Sequence, residues 1–305
     1  MANESIITEF LLMGFSDDHD IQILYFVMFL IIYLLALMGN VLLLVAVILN
    51  HHLHSPMYFF LVNLSFSDVC FISTMIPKAM AASLTNNRQI SYAGCAAQVF
   101  SVFTFGGSEL SLLTVMAYDR YVAICHPLQY TLMMNWDACL QMAAASWISN
   151  LIHALLQTIL TFRLNFCKFN IIEQFFCDIP HLQKISYIKI NQILIWIFGL
   201  IVGSFCVGFI FASYGYIISA VLRIPSVEGR HKAFSTCSPH LTVFSLFMST
   251  AFFSYLRPKS LSFPIIDLLS AVAYTVLPPI LNPIIYCLRN KDIQGAVWKI
   301  TSKIK

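Results

Sequence analysis

Charge is scarce in this chain of 305 residues: 10% is Asp, Glu, Lys or Arg, against about 25% in an ordinary soluble domain, while 59% is apolar. A soluble globule is excluded. Lys and Arg are missing from the first 22 positions, which carry Glu4, Glu9, Asp17, Asp18 and Asp20. That stretch has neither the basic start nor the small-residue cleavage site of a signal peptide, so the first apolar run is expected to act as an uncleaved insertion signal. The apolar runs hold only His153 and His240 as histidines and no HExxH pair occurs, which leaves a membrane metallohydrolase without ligands. No lysine lies in the last run, 268–288, and this excludes the Schiff base of a retinal protein. Neither internal repeats nor paired broken helices support a transporter. Nothing in the charge pattern suggests nucleic-acid binding.

What is present is apolar length. Seven runs, 23–49, 57–83, 96–125, 140–161, 193–222, 234–256 and 268–288, can each cross a bilayer, which takes about 20 residues at about 1.5 Å rise. Lipid offers backbone groups no partners, so such runs are helices or the strands of a closed barrel, and continuous apolar character rules out the barrel's alternation. The expected fold is an all-α membrane protein, a seven-transmembrane helix bundle, with 1–22 as a tail, 23–288 as the bundle and 289–305 as a second tail. Connections are short apart from 162–192, so the function must reside in the bundle. An odd number of spans separates the ends, and residues 289–305 carry five Lys or Arg, which places the amino end outside. Asn3-Glu4-Ser5 is then a glycosylation acceptor. Asn63-Leu64-Ser65 matches the same pattern inside the second run, where no glycosyltransferase reaches.

Ile293, Val297, Ile300 and Ile304 share one helical face, with Arg289, Lys291, Lys299, Lys303 and Lys305 available to anionic lipid. A short amphipathic helix on the inner leaflet is expected, a frayed tail being the alternative. Within the runs, a charge costs at least about 2.5–3.5 kcal/mol at mid-depth. Lys78 lies far enough along its span to snorkel to the outer interface. Asp68 and Glu109 do not, and they demand an internal polar cluster. Asp119 and Arg120 end the third run at headgroup depth, either as a plain exit mark or as a switch. His51, His52 and His54 form an inner turn, solvated or adventitiously metal-binding. Of nine cysteines, Cys95, Cys167 and Cys177 fall outside, where oxidation favours pairing.

Five motifs then stand in order along nearly the whole chain: LHSPMYFFL at 53–61, MAYDRYVAIC at 116–125, Ser213-Tyr214, KAFSTCSPHL at 232–241 and PILNPIIYCLRN at 279–290. The sequence resembles the vertebrate olfactory receptors. The resemblance implies a rhodopsin-like, G-protein-coupled fold in the plasma membrane, and no enzyme. It implies that Asp119 holds Arg120 at rest through a charge-assisted hydrogen bond. On activation the sixth span moves outward, Tyr214 and Tyr286 swing toward Arg120, and a heterotrimeric G protein of the stimulatory class enters to raise cyclic AMP. Tyr121, His240, Asn282 and Pro283 belong to the same coupling motifs, with His240 either a pH-sensitive group or a plain hydrogen-bonding one. Pro278, Pro279 and Pro283 remove backbone donors and force kinks. By the same resemblance Asn40, Asp68, Glu109 and Asn282 converge around water, with a structural sodium ion as one alternative and a neutral carboxylate pair as the other. No other cofactor or metal is expected.

The resemblance also pairs Cys95 with Cys177, a closure of about 80 residues that contributes at most about 4.5 kcal/mol. It places the usual partner of Cys167 at the position held here by Tyr187, so Cys167 is expected to be free or oddly paired. The ligand cavity is expected in the outer half, between spans three, five, six and seven, lined by Val102, Phe103, Gly106, Phe198, Val202, Ala251, Phe252, Tyr255, Val272 and Thr275. Val102 stands where amine receptors carry an acid, so the implied ligand is a small, largely apolar, uncharged odorant, held by apolar burial with a hydrogen bond from Tyr255 or Thr275. Pro239 and Met248 depart from the family's usual residues.

Overall fold

The computed structural model describes residues 8–14, 18–164, 166, 170–186, 190–255 and 263–304, the side chains of 264, 265, 303 and 304 apart. The sites expected at Asn3, Cys167 and Tyr187 lie outside the described residues. Seven long helices make the bundle: α1 (His19–Leu49), α2 (Pro56–Thr85), a third span, α6 (Trp136–Phe162), α8 (Ile190–Leu222), α9 (Val227–Tyr255) and α10 (Pro264–Arg289). The third span, Tyr92–Cys125, is compound: α3 (Tyr92–Ser101), a π-helical stretch Val102–Gly106 and α4 (Gly107–Cys125). Short helices α5 (Tyr130–Met133) and α7 (Ile179–Lys184) lie in connections, and α11 (Lys291–Ile304) follows the bundle.

The spans run to between 26 and 34 residues, about 40 to 50 Å, so each overshoots a hydrocarbon layer of about 30 Å. That overshoot explains why the helices extend beyond most of the apolar runs: polar first turns stay helical because they are capped. The Asp18 side chain accepts from the amides of Asp20 and Ile21, and Asn135 accepts from Ala138. Pro56 and Pro264 open their helices at positions that need no donor, and Asn86 stops α2 in the left-handed conformation at φ 51°. Six of the described helices are apolar enough to cross a membrane by length and composition alone. The seventh, α9, falls short because Ser238, Pro239, His240, Thr242, Ser245, Ser249 and Thr250 dilute its apolar content.

Packing is tightest along α1 with α2, α9 with α10, and α4 with α8. Outward faces are apolar and exposed, as on α8, where Leu194, Ile201 and Phe205 are all exposed. One end of the bundle departs from the all-helical expectation. There β1 (Glu9–Leu12) pairs antiparallel with β2 (Gln89–Ser91) and parallel with β3 (Ile171–Ile172). Phe10, Leu12, Ile90 and Ile172 form a second apolar core with Ile179 and Leu182, around the Cys95–Cys177 disulfide. At the opposite end α11 lays Ile293 and Ala296 against the bundle, with Val297 and Ile300 beside them, and leaves Lys291 and Lys299 exposed. Asn290 joins α10 to that helix: its Oδ1 caps Asp292 and Ile293 while its Nδ2 donates to the Tyr58 hydroxyl at 2.8 Å.

Candidate functional site

Three polar assemblies occupy the bundle, and the third span contributes to each. Midway along it, Glu109 on α4 and Asp68 on α2 share one donor: Asn282 Nδ2 gives hydrogen bonds to Asp68 Oδ2 at 2.9 Å and Glu109 Oε1 at 3.2 Å. All three are buried. Asn282 Oδ1, Asn40 Oδ1 and Ser108 Oγ are buried without a hydrogen-bond partner among the described residues. Asn40 is tied differently, donating to the Pro279 carbonyl at 2.7 Å. Lys78 leaves the cluster alone, and its Nζ donates to the Gln89 carbonyl at the disulfide end.

At the other end of α4, Arg120 Nε donates to Asp119 Oδ2 at 2.9 Å, and its terminal nitrogen reaches the same oxygen. The second carboxylate oxygen accepts from the Tyr130 hydroxyl at 2.7 Å, so Asp119, which is fully buried, is satisfied from both sides. Burial and the neighbouring carboxylate push the Tyr130 pKa up, and its hydroxyl stays a donor. Above this lock His240 bridges three helices, with Nδ1 at 2.7 Å from the Tyr214 hydroxyl and Nε2 at 2.9 Å from the Leu113 carbonyl. A carbonyl only accepts, so Nε2 donates to Leu113, and Nδ1 shares a hydrogen bond with the Tyr214 hydroxyl. Both ring nitrogens are thus partnered, as in the hydrogen-bonding alternative. Tyr286 is fully buried, and its hydroxyl has no hydrogen-bond partner among the described residues. Tyr121 turns to His126 at 3.0 Å.

Toward the disulfide end lies a cavity of about 640 Å³ between the third span, α6 and α8, with Asp178, Pro180, Tyr255 and Tyr274 among its walls. The π-helical stretch supplies Val102, Phe103 and Gly106. Such insertions recur at functional sites because they re-aim side chains. Close approach matters at two glycines: a Cβ on Gly107 would meet Asn150 Oδ1 at 2.2 Å, and one on Gly106 the Tyr274 hydroxyl at 2.9 Å. The walls are mainly apolar, with Asn150, His153, Gln157 and Asp178 as polar points. Burial pushes the Asp178 carboxyl up to about 7, against a hydrogen bond from Tyr255.

A sequence model of the family described as olfactory receptor matches residues 29–304. The chain belongs to the olfactory receptor family. It is 49% identical to human Olfactory receptor 14A16 over 299 residues, covering 97% of this chain and 96% of the relative. It is 48% identical to human Olfactory receptor 14L1, over 97% and 91% of the two chains, and 43% identical to mouse Olfactory receptor 1E16, over 99% and 97%. Among solved structures it is similar to the crystal structure of squid rhodopsin, with a TM-score of 0.68 at 15% identity over 95% of this chain and 87% of that one. That likeness shows the seven-helix fold. This olfactory receptor is thus a multi-pass membrane receptor rather than an enzyme, in a family that takes small molecules and G proteins as partners.

Of the ten residues expected at the receptor's cavity, Val102, Phe103, Gly106, Phe198, Val202 and Tyr255 line it. Ala251, Phe252, Val272 and Thr275 do not. Phe252 is half exposed on the outer face of α9, and Thr275 is fully buried with its hydroxyl donating back to the Ala271 carbonyl at 2.9 Å. The reason is aromatic filling: Tyr274 packs on Tyr255 at 5.3 Å and on Phe71 at 5.9 Å between ring centroids. These edge-to-face contacts fill the space beside α9 and α10, and the open volume lies toward α6 and α8. Sequence reasoning missed Tyr130, Asp178, His153 and Asn150. Asp178 had a signal, since it follows Cys177 and the disulfide draws it over the bundle; Tyr130 had none beyond its hydroxyl. The His51–His54 turn brings two rings to 5.1 Å, but no metal-ligand cluster occurs among the described residues.

Proposed function

We propose that this receptor sits in the plasma membrane with its amino end outside, binds a small, mainly apolar odorant in the cavity, and activates a G protein of the stimulatory class to raise cyclic AMP. One observation supports this reading above the others: a single continuous span carries both the cavity wall at Val102–Gly106 and the Asp119–Arg120 pair. Thirteen or more residues separate them, about 20 Å or more of helix, so displacement at one end is delivered mechanically to the other. Apolar walls supply affinity by burial at about 25 cal/mol per Å². Polar points at Asp178, His153 and Asn150 select among functional groups. The test is a cyclic-AMP reporter in cells challenged with an odorant panel, run on the natural chain and on Arg120→Ala at matched surface expression. A response that survives loss of the guanidinium unchanged overturns the mechanism.

A resident sodium ion belongs to the same proposal. Two carboxylates that share a donor repel when both are ionised, and the cluster offers hard oxygen donors, which suit an alkali cation. Asp68 and Glu109 would hold the ion with Asn282 Oδ1, and it would neutralise their charge. Sodium should raise the thermal unfolding midpoint of the purified receptor, and Asp68→Asn should abolish that increment. An increment unchanged in the variant speaks for the neutral pair instead.

A further inference from the structure

We infer that the cavity exchanges its ligand with the bilayer, through a lateral mouth between α6 and α8, and not with the water above the bundle. The inference rests on reading the cavity as the ligand site. Its walls fall into two classes. Val102 and Asp178 are 6% and 4% exposed, as expected of an interior wall. Ile152, Leu156, Phe198 and Val202 line the same cavity, yet they are 55%, 46%, 58% and 43% exposed. Side chains that line a cavity and are also about half exposed have no further layer of protein outside them, so the wall between α6 and α8 is a single side chain thick.

This thin wall lies at lipid depth. Phe198 and Val202 stand 8 and 12 residues inside α8, about 12 to 18 Å from its end, and Ile152 and Leu156 lie about 9 to 15 Å inside α6. The two helices overshoot a hydrocarbon layer of about 30 Å by about 10 and 5 Å at each end, so both ranges fall within its outer half. The His153 ring of α6 packs on Phe198 of α8 at 6.0 Å between centroids and would meet a Cβ at Gly199 at 3.2 Å, but one turn further along α8 a Cβ at Gly203 meets no atom within 4 Å, so the space there is open. The water-facing end is covered instead. Ile179 and Leu182 are fully buried there in one apolar cluster with the strands of the sheet and the Cys95–Cys177 bond, and their neighbours Asp178 and Pro180 form the cavity wall beneath. A small apolar molecule concentrates in the bilayer, so this route draws on the higher local concentration and avoids unfolding the cover.

The experiment follows a thiol placed inside by Val102→Cys, in receptor reconstituted into lipid nanodiscs, with each modified cysteine located by peptide mass mapping. Two probes compete: uncharged benzyl methanethiosulfonate, which partitions into lipid, and charged sulfonatoethyl methanethiosulfonate, which stays in water. The benzyl reagent should modify the introduced thiol at least tenfold faster, after correction for their rates with free cysteine. Leu156→Trp on α6 and Gly203→Phe on α8 should each slow the benzyl reagent at least fivefold and leave the charged one unmoved. Equal access for the charged reagent, or benzyl rates indifferent to both rim variants, overturns the lateral route. The two variants sit on different helices, so misfolding of one leaves the other to decide, and the reagent ratio decides without either. Labelling needs neither agonist nor G protein. A receptor that signals but labels from water loses only the route, and one that labels from lipid but never signals loses only the receptor mechanism.

Discussion

Asn40 on α1 gives its carboxamide N–H to the Pro279 carbonyl on α10 at 2.7 Å. In an α-helix that carbonyl would accept from the amide four residues on, but position 283 is a proline and has no N–H. The side chain of one span thus replaces a backbone donor missing from another, and the proline-interrupted turn of α10 is stabilised from outside. Gly39 completes the fit, since a Cβ there would come within 3.0 Å of Pro283 Cγ.

Asn40→Leu therefore strands a buried carbonyl, at a cost of about 1–3 kcal/mol. The purified receptor should unfold at a temperature several degrees lower. Gly39→Val, which forces the ring and α1 apart, should cost a comparable amount. An unchanged midpoint in Asn40→Leu means that another donor, such as water, already serves Pro279.

The lock at Asp119 makes a graded prediction. Asp119→Asn keeps the shape but removes the charge that holds Arg120, and ligand-independent cyclic-AMP output should rise several-fold. Tyr130→Phe removes only the hydrogen bond to Oδ1 and should give a smaller rise. Equal basal output in all three receptors at matched surface expression would show that the pair does not restrain signalling.

Seven spans were legible because each is a long apolar run, and lipid leaves such a run no alternative to a helix. The Asp68–Glu109–Asn282 cluster was legible in outline, since buried charges require partners, and Asn282 was brought to it by the family motifs. The three-stranded sheet was not. Its strands are two to four residues long and come from positions 9, 89 and 171, too short for any periodicity and joined by tertiary contact alone. The displaced cavity was hidden for a related reason: Phe71, Tyr255 and Tyr274 read as ordinary packing, and only the edge-to-face contacts of Tyr274 with the other two fill the place where a pocket was expected.

His240 and Tyr214 provide a test of coupling. Each is buried, and the pair holds α9 to α8 while the imidazole also reaches the third span through Leu113. Tyr214→Phe and His240→Phe each break the shared hydrogen bond, so their effects on thermal stability should be non-additive by about 0.5–3 kcal/mol. Simple additivity would place the two residues in separate networks.

The cover over the cavity carries two titrating groups of opposite sign. Burial pushes Asp178 up to about 7, so between about pH 4 and 7 the unfolded chain releases a proton that the folded one keeps, and stability falls as pH rises. His181 is pushed down to about 4 by burial and by Lys184, so between about pH 6.5 and 4 the unfolded chain takes up a proton that the folded one refuses, and stability falls as pH drops. In the natural receptor the two slopes oppose each other across about pH 4 to 6.5. Asp178→Asn should uncover the histidine's slope, with unfolding temperature rising from pH 4.5 to 6.5 more steeply than in the natural receptor. His181→Gln should uncover the carboxyl's slope, with the opposite trend. Groups common to all three proteins, Asp68 and Glu109 among them, drop out of the differences. If both variants reproduce the natural profile, neither group is held in its uncharged form by the cover, and the loop lies more open to water than its burial implies.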